Sequence, residues 1–281
     1  MRLCLAPCVI EKISTGDVCV LGVTSVDDEL FVLLQRDDNQ VAVYFINDYR
    51  LLRHLNLPGL KTHYYSNDMT SCVRHKCIYV CDSDNKCIHM HDLARSAISR
   101  WRVSHTLATR KLSVPYTPCG LSVTPVGGNL LVTCQSPNKL VELRADSGQR
   151  VREITLQSDI EWTWHGVQLT TGQYVVCHGE WRNLHRVCIV DDDGRVTRSY
   201  GGQRGSDVGQ LDSPRHLVVD EDSQFIFVAD LSNDRVVMLS PTLEFVRYIS
   251  DGLSQPHRLY LHHSTRRLYV GHWGDDVVIQ L

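Results

Sequence analysis

Histidine, arginine and tryptophan are spaced along this sequence in a way that could bind a ligand or a metal ion. His165, His178, His257 and His272 could offer imidazole nitrogens to a first-row metal such as zinc. His165 with His257 is the best-placed pair, and His178 with His272 comes next. Arg215 and His216 add hydrogen-bond donors, while Trp164, Trp181 and Trp273 add aromatic planes, with Trp162 nearby. Aromatic faces beside imidazole and guanidinium groups can stack on a ligand and hydrogen-bond it, as interfaces and base-binding platforms do. Other chemistry finds no foothold. The sequence has no Gly-x-Ser-x-Gly, no glycine-rich phosphate loop, no His-Glu-x-x-His and no Glu-Asn-Asp set of the calcium type.

A repeat must position these residues. An apolar triplet returns six times: Leu30-Phe31-Val32, Ile78-Tyr79-Val80, Leu130-Leu131-Val132, Tyr174-Val175-Val176, Ile226-Phe227-Val228 and Leu268-Tyr269-Val270. Its valines fall 42 to 52 residues apart, a period that signals an array of equivalent units. In the fifth unit, Arg215 to Asp220, Phe225 to Asp230, Arg235 to Leu239 and Leu243 to Ile249 are short β-branched or aromatic runs. Turn residues separate them, the signature of strands and hairpins. Six such four-stranded meanders without intervening amphipathic helices predict an all-β fold, a six-bladed β-propeller of antiparallel blades. Asp92 to Arg100 reads as an outer strand or a helical turn. The units run approximately over 14–62, 63–113, 114–158, 159–208, 209–252, and 253–281 plus 1–13, in one domain. The last unit lacks a fourth strand, and the segment around Val9 to Ile13 is expected to supply it, closing the ring and hiding its edges.

Aligned unit by unit, the loops leading into the first strands place Leu21, Asn67, Cys119, His165, Arg215 and His257 in one column. Two residues after the repeated valine come Leu34, Asp82, Cys134, His178, Asp230 and His272. The apolar strands repeat and the rim does not: histidine and tryptophan collect on the fourth and sixth units, with Arg215 between. Plainer roles compete. An aspartate before a tight turn caps that turn's own N–H groups, and a histidine can simply pack at a wet channel mouth.

The bulk numbers set limits. A hydrophobic fraction of 43% supports a buried core, and a net charge of −3 weakens any purely electrostatic grip on nucleic acid. One basic stretch, Arg95, Arg100, Arg102, Arg110 and Lys111 around Trp101, fits a solvated outer strand. The eleven cysteines form no Cys-x-x-Cys pair and mostly sit in apolar runs, where a thiol acts as a small hydrophobe. No signal-peptide or membrane-spanning stretch is read. The expectation is a soluble protein in a reducing, cytoplasmic compartment without disulfides.

The fifth unit carries a motif as well: Pro214-Arg215-His216-Leu217-Val218-Val219-Asp220, then Phe227-Val228-Ala229-Asp230, then Asn233-Asp234-Arg235-Val236. It resembles the NHL repeat. The sixth unit matches in part, through Pro256-His257-Arg258-Leu259 and Leu268-Tyr269-Val270-Gly271, and the second keeps Val80-Cys81-Asp82-Ser83-Asp84-Asn85. The first and fourth units depart furthest, so the motif covers about a third of the chain. The resemblance is to the C-terminal NHL domain of tripartite-motif proteins. It implies a non-catalytic binding platform for a protein partner or an RNA stem-loop, with no cofactor, no membrane contact and a monomeric isolated domain. No RING, B-box or coiled-coil segment is read, so no ligase activity is implied. The architecture is also similar to that of peptide-amidating lyases and calcium-dependent lactonases. That similarity implies the alternative: a metal-dependent enzyme with a histidine-lined site at the channel mouth.

Overall fold

A computed structural model describes residues 8–35, 40–62, 67–102, 116–181, 184–249 and 253–281; the side chains of 8–11, 14–17, 102 and 273–280 are outside it. The first strands are β1 (Cys8–Val26), β2 (Glu29–Leu34), β3 (Gln40–Phe45) and β4 (Leu51–Asn56). Next come β5 (Met69–Cys72), β6 (Cys77–Asp82), β7 (Cys87–Asp92) and β8 (Ala97–Arg102). The third group is β9 (Thr117–Val123), β10 (Leu130–Gln135), β11 (Lys139–Leu143) and β12 (Arg150–Thr155). The fourth is β13 (Thr163–Gln168), β14 (Tyr174–His178), β15 (His185–Val190) and β16 (Val196–Gly202). The fifth is β17 (Pro214–Val219), β18 (Ile226–Asp230), β19 (Arg235–Leu239) and β20 (Phe245–Ile249). The chain ends with β21 (Arg258–His262), β22 (Arg267–Gly271) and β23 (Trp273–Gln280).

These strands make an all-β propeller, but among the described residues they form five blades rather than the expected six. Four are four-stranded antiparallel sheets. The fifth sheet has seven strands, in the order β21-β22-β23-β1-β2-β3-β4. The cause is β1, which runs unbroken for 19 residues. Its first part pairs with β23, from Cys8 opposite Gln280 to Ser14 opposite Asp275. Its last part pairs with β2, from Val20 opposite Leu34 to Val26 opposite Glu29. The segment Ser14-Thr15-Gly16-Asp17, turn-prone by composition, therefore continues one strand and fuses the last repeat unit with the first. Asp92 ends β7, residues 93–96 form a turn and Ala97–Arg102 is an outer strand. Within the basic stretch, Arg110 and Lys111 lie outside the described residues.

The burial gradient across each sheet explains the triplet. Second strands such as β6 and β14 are buried at every position, whereas the outer strand β4 is largely exposed. A second strand is covered by the neighbouring sheet on both faces, so its sequence runs apolar without alternation, as in any strand buried on both sides. All six repeated valines are fully buried, each stabilising the fold by roughly 1.5–3 kcal/mol relative to exposure. Separate hydrophobic clusters fill the spaces between successive repeat units. Tyr79 packs with Leu130, Leu131 with Tyr174, Val175 with Val228, Phe227 with Leu268, Tyr269 with Val32, and Phe31 with Ile78. The innermost strands touch in a closed cycle, β1-β5-β9-β13-β17-β21 and back to β1. Their inward ends surround the axis. That is where the functional side chains meet.

Candidate functional site

The innermost strands carry a bulge near their start. Register shifts at Val20/Gly22, Thr133/Cys134, Thr163/His165 and Pro214/His216 each insert one extra residue, as β-bulges do. The inserted residues are Leu21, Cys119, Trp164 and Arg215. Trp164 is therefore the partner of Arg215 in the repeat, where the aligned column had placed His165. The next position, opposite the residue after each repeated valine, holds Gly22, Asp68, Gly120, His165, His216 and Arg258. This ring lies on the axis, and the sequence reading missed Asp68 and Arg258 in it. The hydrophobic period does not mark the bulge that sets them; the strand register, anchored on each repeated valine, brings these positions into line. The glycines are required by close approach. A Cβ on Gly120 would sit 2.5 Å from the Trp164 carbonyl oxygen, and one on Gly22 would sit 2.5 Å from Met69 Cβ.

The four remaining ring members form one buried cluster. His165 and His216 stack with ring centroids 3.7 Å apart and planes 27° from parallel. Asp68 Oδ2 is 3.5 Å from His165 Nε2, and Oδ1 is 3.4 Å from His216 Nε2 and 3.5 Å from Arg258 Nε. The backbone N–H groups of Met69 and Leu121 donate to the same carboxylate at 2.9 and 2.8 Å. Arg258 donates to the carbonyls of Leu21 at 2.8 Å, His257 at 2.6 Å and Asn67. Burial opposes the charge on Asp68, yet His216 and Arg258 beside it hold its carboxyl well below the usual range. Burial, reinforced by the His216 neighbour, drives His165 down to about 3, and burial lowers His216 too. The cluster at neutral pH is one carboxylate, one guanidinium and two uncharged imidazoles. His165 Nε2–H then donates to the Leu121 carbonyl at 3.0 Å, while His216 Nδ1 accepts from Leu259 N–H at 3.4 Å. A cavity of about 150 Å³ adjoins it along the axis, lined by Thr24, Thr70, Ser122 and Tyr260 among apolar neighbours. The polar ring plugs this channel.

The other expected site residues divide into buried and exposed sets. Arg215 is buried, its guanidinium 3.7 Å above the Trp164 ring and 2.7 Å from Glu180 Oε2. Trp164 is buried and donates from Nε1 to the Gly179 carbonyl at 3.1 Å. His178 Nδ1 donates to the Glu161 carbonyl at 3.2 Å and Nε2 accepts from Arg186 at 3.2 Å; burial, helped by Arg186, lowers it to about 4. His257 Nε2 donates to the Val20 carbonyl at 2.6 Å and lies 2.9 Å from the Cys19 thiol, while Nδ1 lies 3.0 Å from the Gln255 carbonyl oxygen. Burial, with Arg258 adding to it, takes His257 down to about 3. His272 is buried, and the side chain of Trp273 lies outside the described residues. Trp181 and Trp162 differ, being 75% and 45% exposed with φ of +57° and +55°, a region that bulky residues seldom enter. Gly179 N–H bonds to the Trp162 carbonyl at 3.2 Å, tying the two tryptophan loops together.

Two donor groups could each surround one metal ion among the described residues. They are Asp68 with His165 and His216, and Asp82 with Cys87 and His89. Neither contains His178, His257 or His272, so the expected four-histidine set does not assemble. Asp82 accepts from Asn85 N–H at 2.9 Å, the turn-capping role expected of it. Asp230 instead takes the N–H of Asp212 at 2.6 Å and the side chains of Asn233 and Arg235, each at 2.8 Å.

No protein-family profile and no curated protein matches this sequence. The fold does match solved structures. One is a catalytically inactive histidine-to-alanine variant of virginiamycin B lyase from Staphylococcus aureus with quinupristin, at 10% identity and a TM-score of 0.62. That match covers 98% of this chain and 100% of the other. The β-propeller domain of Cps50 (Swd1) from Myceliophteria thermophila matches at 12% identity and 0.63, over the same 98% and 100%. A streptogramin B lyase matches at 9% identity and 0.65, over 96% of each chain. Such low identity establishes a propeller fold and leaves the activity open.

Proposed function

We propose that this chain is a non-catalytic binding module that docks a partner protein on the rim of its fourth repeat unit. The observation that carries this reading is the contrast in exposure: Trp162 and Trp181 stand in solvent with Leu184, 41% exposed, nearby. The described rim histidines are instead buried and held by internal partners. Tryptophans flanking a desolvated Arg215–Trp164 stack have the composition of a binding hot spot. Glu161 and Asp159 border the same loops, which favours a protein surface bearing cations over a polyphosphate chain. The NHL-like residues of the fifth unit support the same platform role. The closed cycle of six innermost strands, each with its own interface cluster, supports reading the seven-stranded sheet as two units of a sixfold array. The nine cysteines whose side chains are described are all buried, as small core hydrophobes are, which supports a reducing, cytoplasmic setting; among the described residues no helix is long and apolar enough to cross a membrane.

The test replaces Trp162 and Trp181 by alanine together and compares captured partners with those of the wild type and of Val126→Ala, an exposed site on a different turn. Loss of a protein partner, with an unchanged melting temperature, is expected for the tryptophan pair alone. An unchanged partner set, or retention of RNA as the sole ligand, overturns the reading.

A second reading, a channel enzyme, is favoured by one observation: the Asp68–His165–His216–Arg258 cluster beside its axial cavity. Its arrangement counts against turnover, because all four groups are buried and bonded to each other or to backbone.

A further inference from the structure

The second and fifth units share one rim pattern with a single change of chemistry. In the ladders, Asp230 is the cross-strand partner of Arg235, and Asp82 is that of Cys87. Asn233 and Asn85 hold equivalent places, each donating to its aspartate at 2.8 Å. Two residues further on, the fifth unit has Val237 and the second has His89. Where Asp230 faces a guanidinium, the equally buried Asp82 faces a thiol and an imidazole.

Those groups converge on one point. His89 Nε2 is 3.1 Å from Asp82 Oδ2 and 3.7 Å from Cys87 Sγ, and the three donor atoms lie within 4.8 Å of one another. A proton relay needs the carboxylate and the thiol on opposite ring nitrogens. Here both face Nε2, so no relay is built. Metal–ligand lengths of about 2.0–2.3 Å imply donor separations of roughly 3.3–3.6 Å around a tetrahedral zinc, close to the 3.1 and 3.7 Å of the two pairs that include His89 Nε2. Charge points the same way: a carboxylate, a thiolate and a neutral imidazole carry two negative charges, which one divalent ion balances. The axial group of Asp68, His165 and His216 fails this criterion. Arg258 already neutralises its carboxylate, and a divalent ion there would leave two uncompensated positive charges in the core.

We propose that Asp82, Cys87 and His89 form a structural site for a zinc-class divalent ion, which takes the place that the Arg235 guanidinium fills in the fifth unit. On binding, Cys87 gives its thiol proton to solvent and the His89 proton resides on Nδ1, freeing Nε2 for the metal. All three residues are at most 5% exposed, so the ion enters as the chain folds and leaves only when the blade opens.

The test uses the full chain produced in cobalt-supplemented medium. One cobalt per chain is expected, with a near-ultraviolet thiolate-to-cobalt charge-transfer band. Cys87→Ser should abolish the band, and His89→Ala should lower occupancy roughly tenfold or more. Zinc-loaded wild type should lose melting temperature in a chelator. The double variant Cys87→Arg with His89→Val, which copies the fifth unit, should fold with no metal and no chelator response. Should Cys87→Ser fail to fold, the double variant decides: metal retained in its folded form overturns the site, and metal lost supports it. Wild type lacking stoichiometric metal and indifferent to chelator overturns it too, as does a band that survives Cys87→Ser.

Discussion

Asp82 and Asp230 occupy equivalent places in the second and fifth units, both without solvent contact, and are stabilised by different neighbours. Asp230 relies on Arg235, which donates to it at 2.8 Å, to the Ser206 carbonyl at 2.6 Å and to the Gln210 carbonyl at 3.1 Å, and lies 3.9 Å over the Tyr248 ring. Burial still wins there and raises the Asp230 pKa. Asp82 is also penalised by burial, but hydrogen bonds from His89, Asn85 and the Lys61 N–H outweigh it and lower its pKa. The pattern these two units share fixes the carboxylate and its asparagine. It leaves the counter-charge free to vary, and that is where individual units acquire their own chemistry.

Acid should produce the largest effect, and it sets the pH at which the two aspartates can be compared. His165 and His257 titrate near 3 and His178 near 4 in the folded chain, from a usual value of 6.5. Below pH 6.5 the unfolded chain takes up these protons and the folded chain does not. Stability is therefore whole above pH 6.5 and falls as the pH drops toward 4, by about 1.4 kcal/mol per pH unit for each histidine. Denaturant midpoints measured from pH 8 to 4.5 should be flat at first and then fall steeply. A flat profile down to pH 5 would mean that these imidazoles are protonated in the fold.

At pH 7.5, Arg235→Met should cost about 3–5 kcal/mol in urea unfolding, because it strands a buried carboxylate. A loss below about 1 kcal/mol would break the comparison by showing that Asp230 does not depend on its guanidinium. The smallest effects should come from the part the units share. Asn85→Ala and Asn233→Ala should each cost about 1 kcal/mol, and equal losses would confine the difference between the units to the counter-charge. Unequal losses would place part of it in the turn.

The apolar triplets were legible because a strand covered on both faces writes its burial directly into sequence, as the fully buried Val32, Val80 and Val228 illustrate. The axial ring was not. The bulge at Trp164 displaces His165 by one position, and a bulge leaves no mark in a hydrophobic period. The rim histidines read as channel-mouth residues since they are polar and next to turns, yet His178 and His257 are less than 3% exposed. The fused sheet was hidden as well: Gly16-Asp17 has turn composition, yet it lies within β1 between the pairs Ser14–Asp275 and Cys19–Trp273, where the register with β23 shifts and the strand passes on to β2. Trp162 and Trp181 are exposed while Trp164, from the same run, is buried at the bulge, so loop position alone did not separate them in the sequence.

The pairing of Cys8 with Gln280 has a mechanical consequence. The two described ends of the chain lie side by side at one end of an antiparallel pair. Tension between them loads that pair like a zipper, opening it one hydrogen bond at a time and not shearing the whole ladder at once. The first part to yield under force is the joint between β1 and β23, while the four self-contained sheets carry no load until it has parted. A pull on both ends of this ring would open it at its seam before it unfolded a blade.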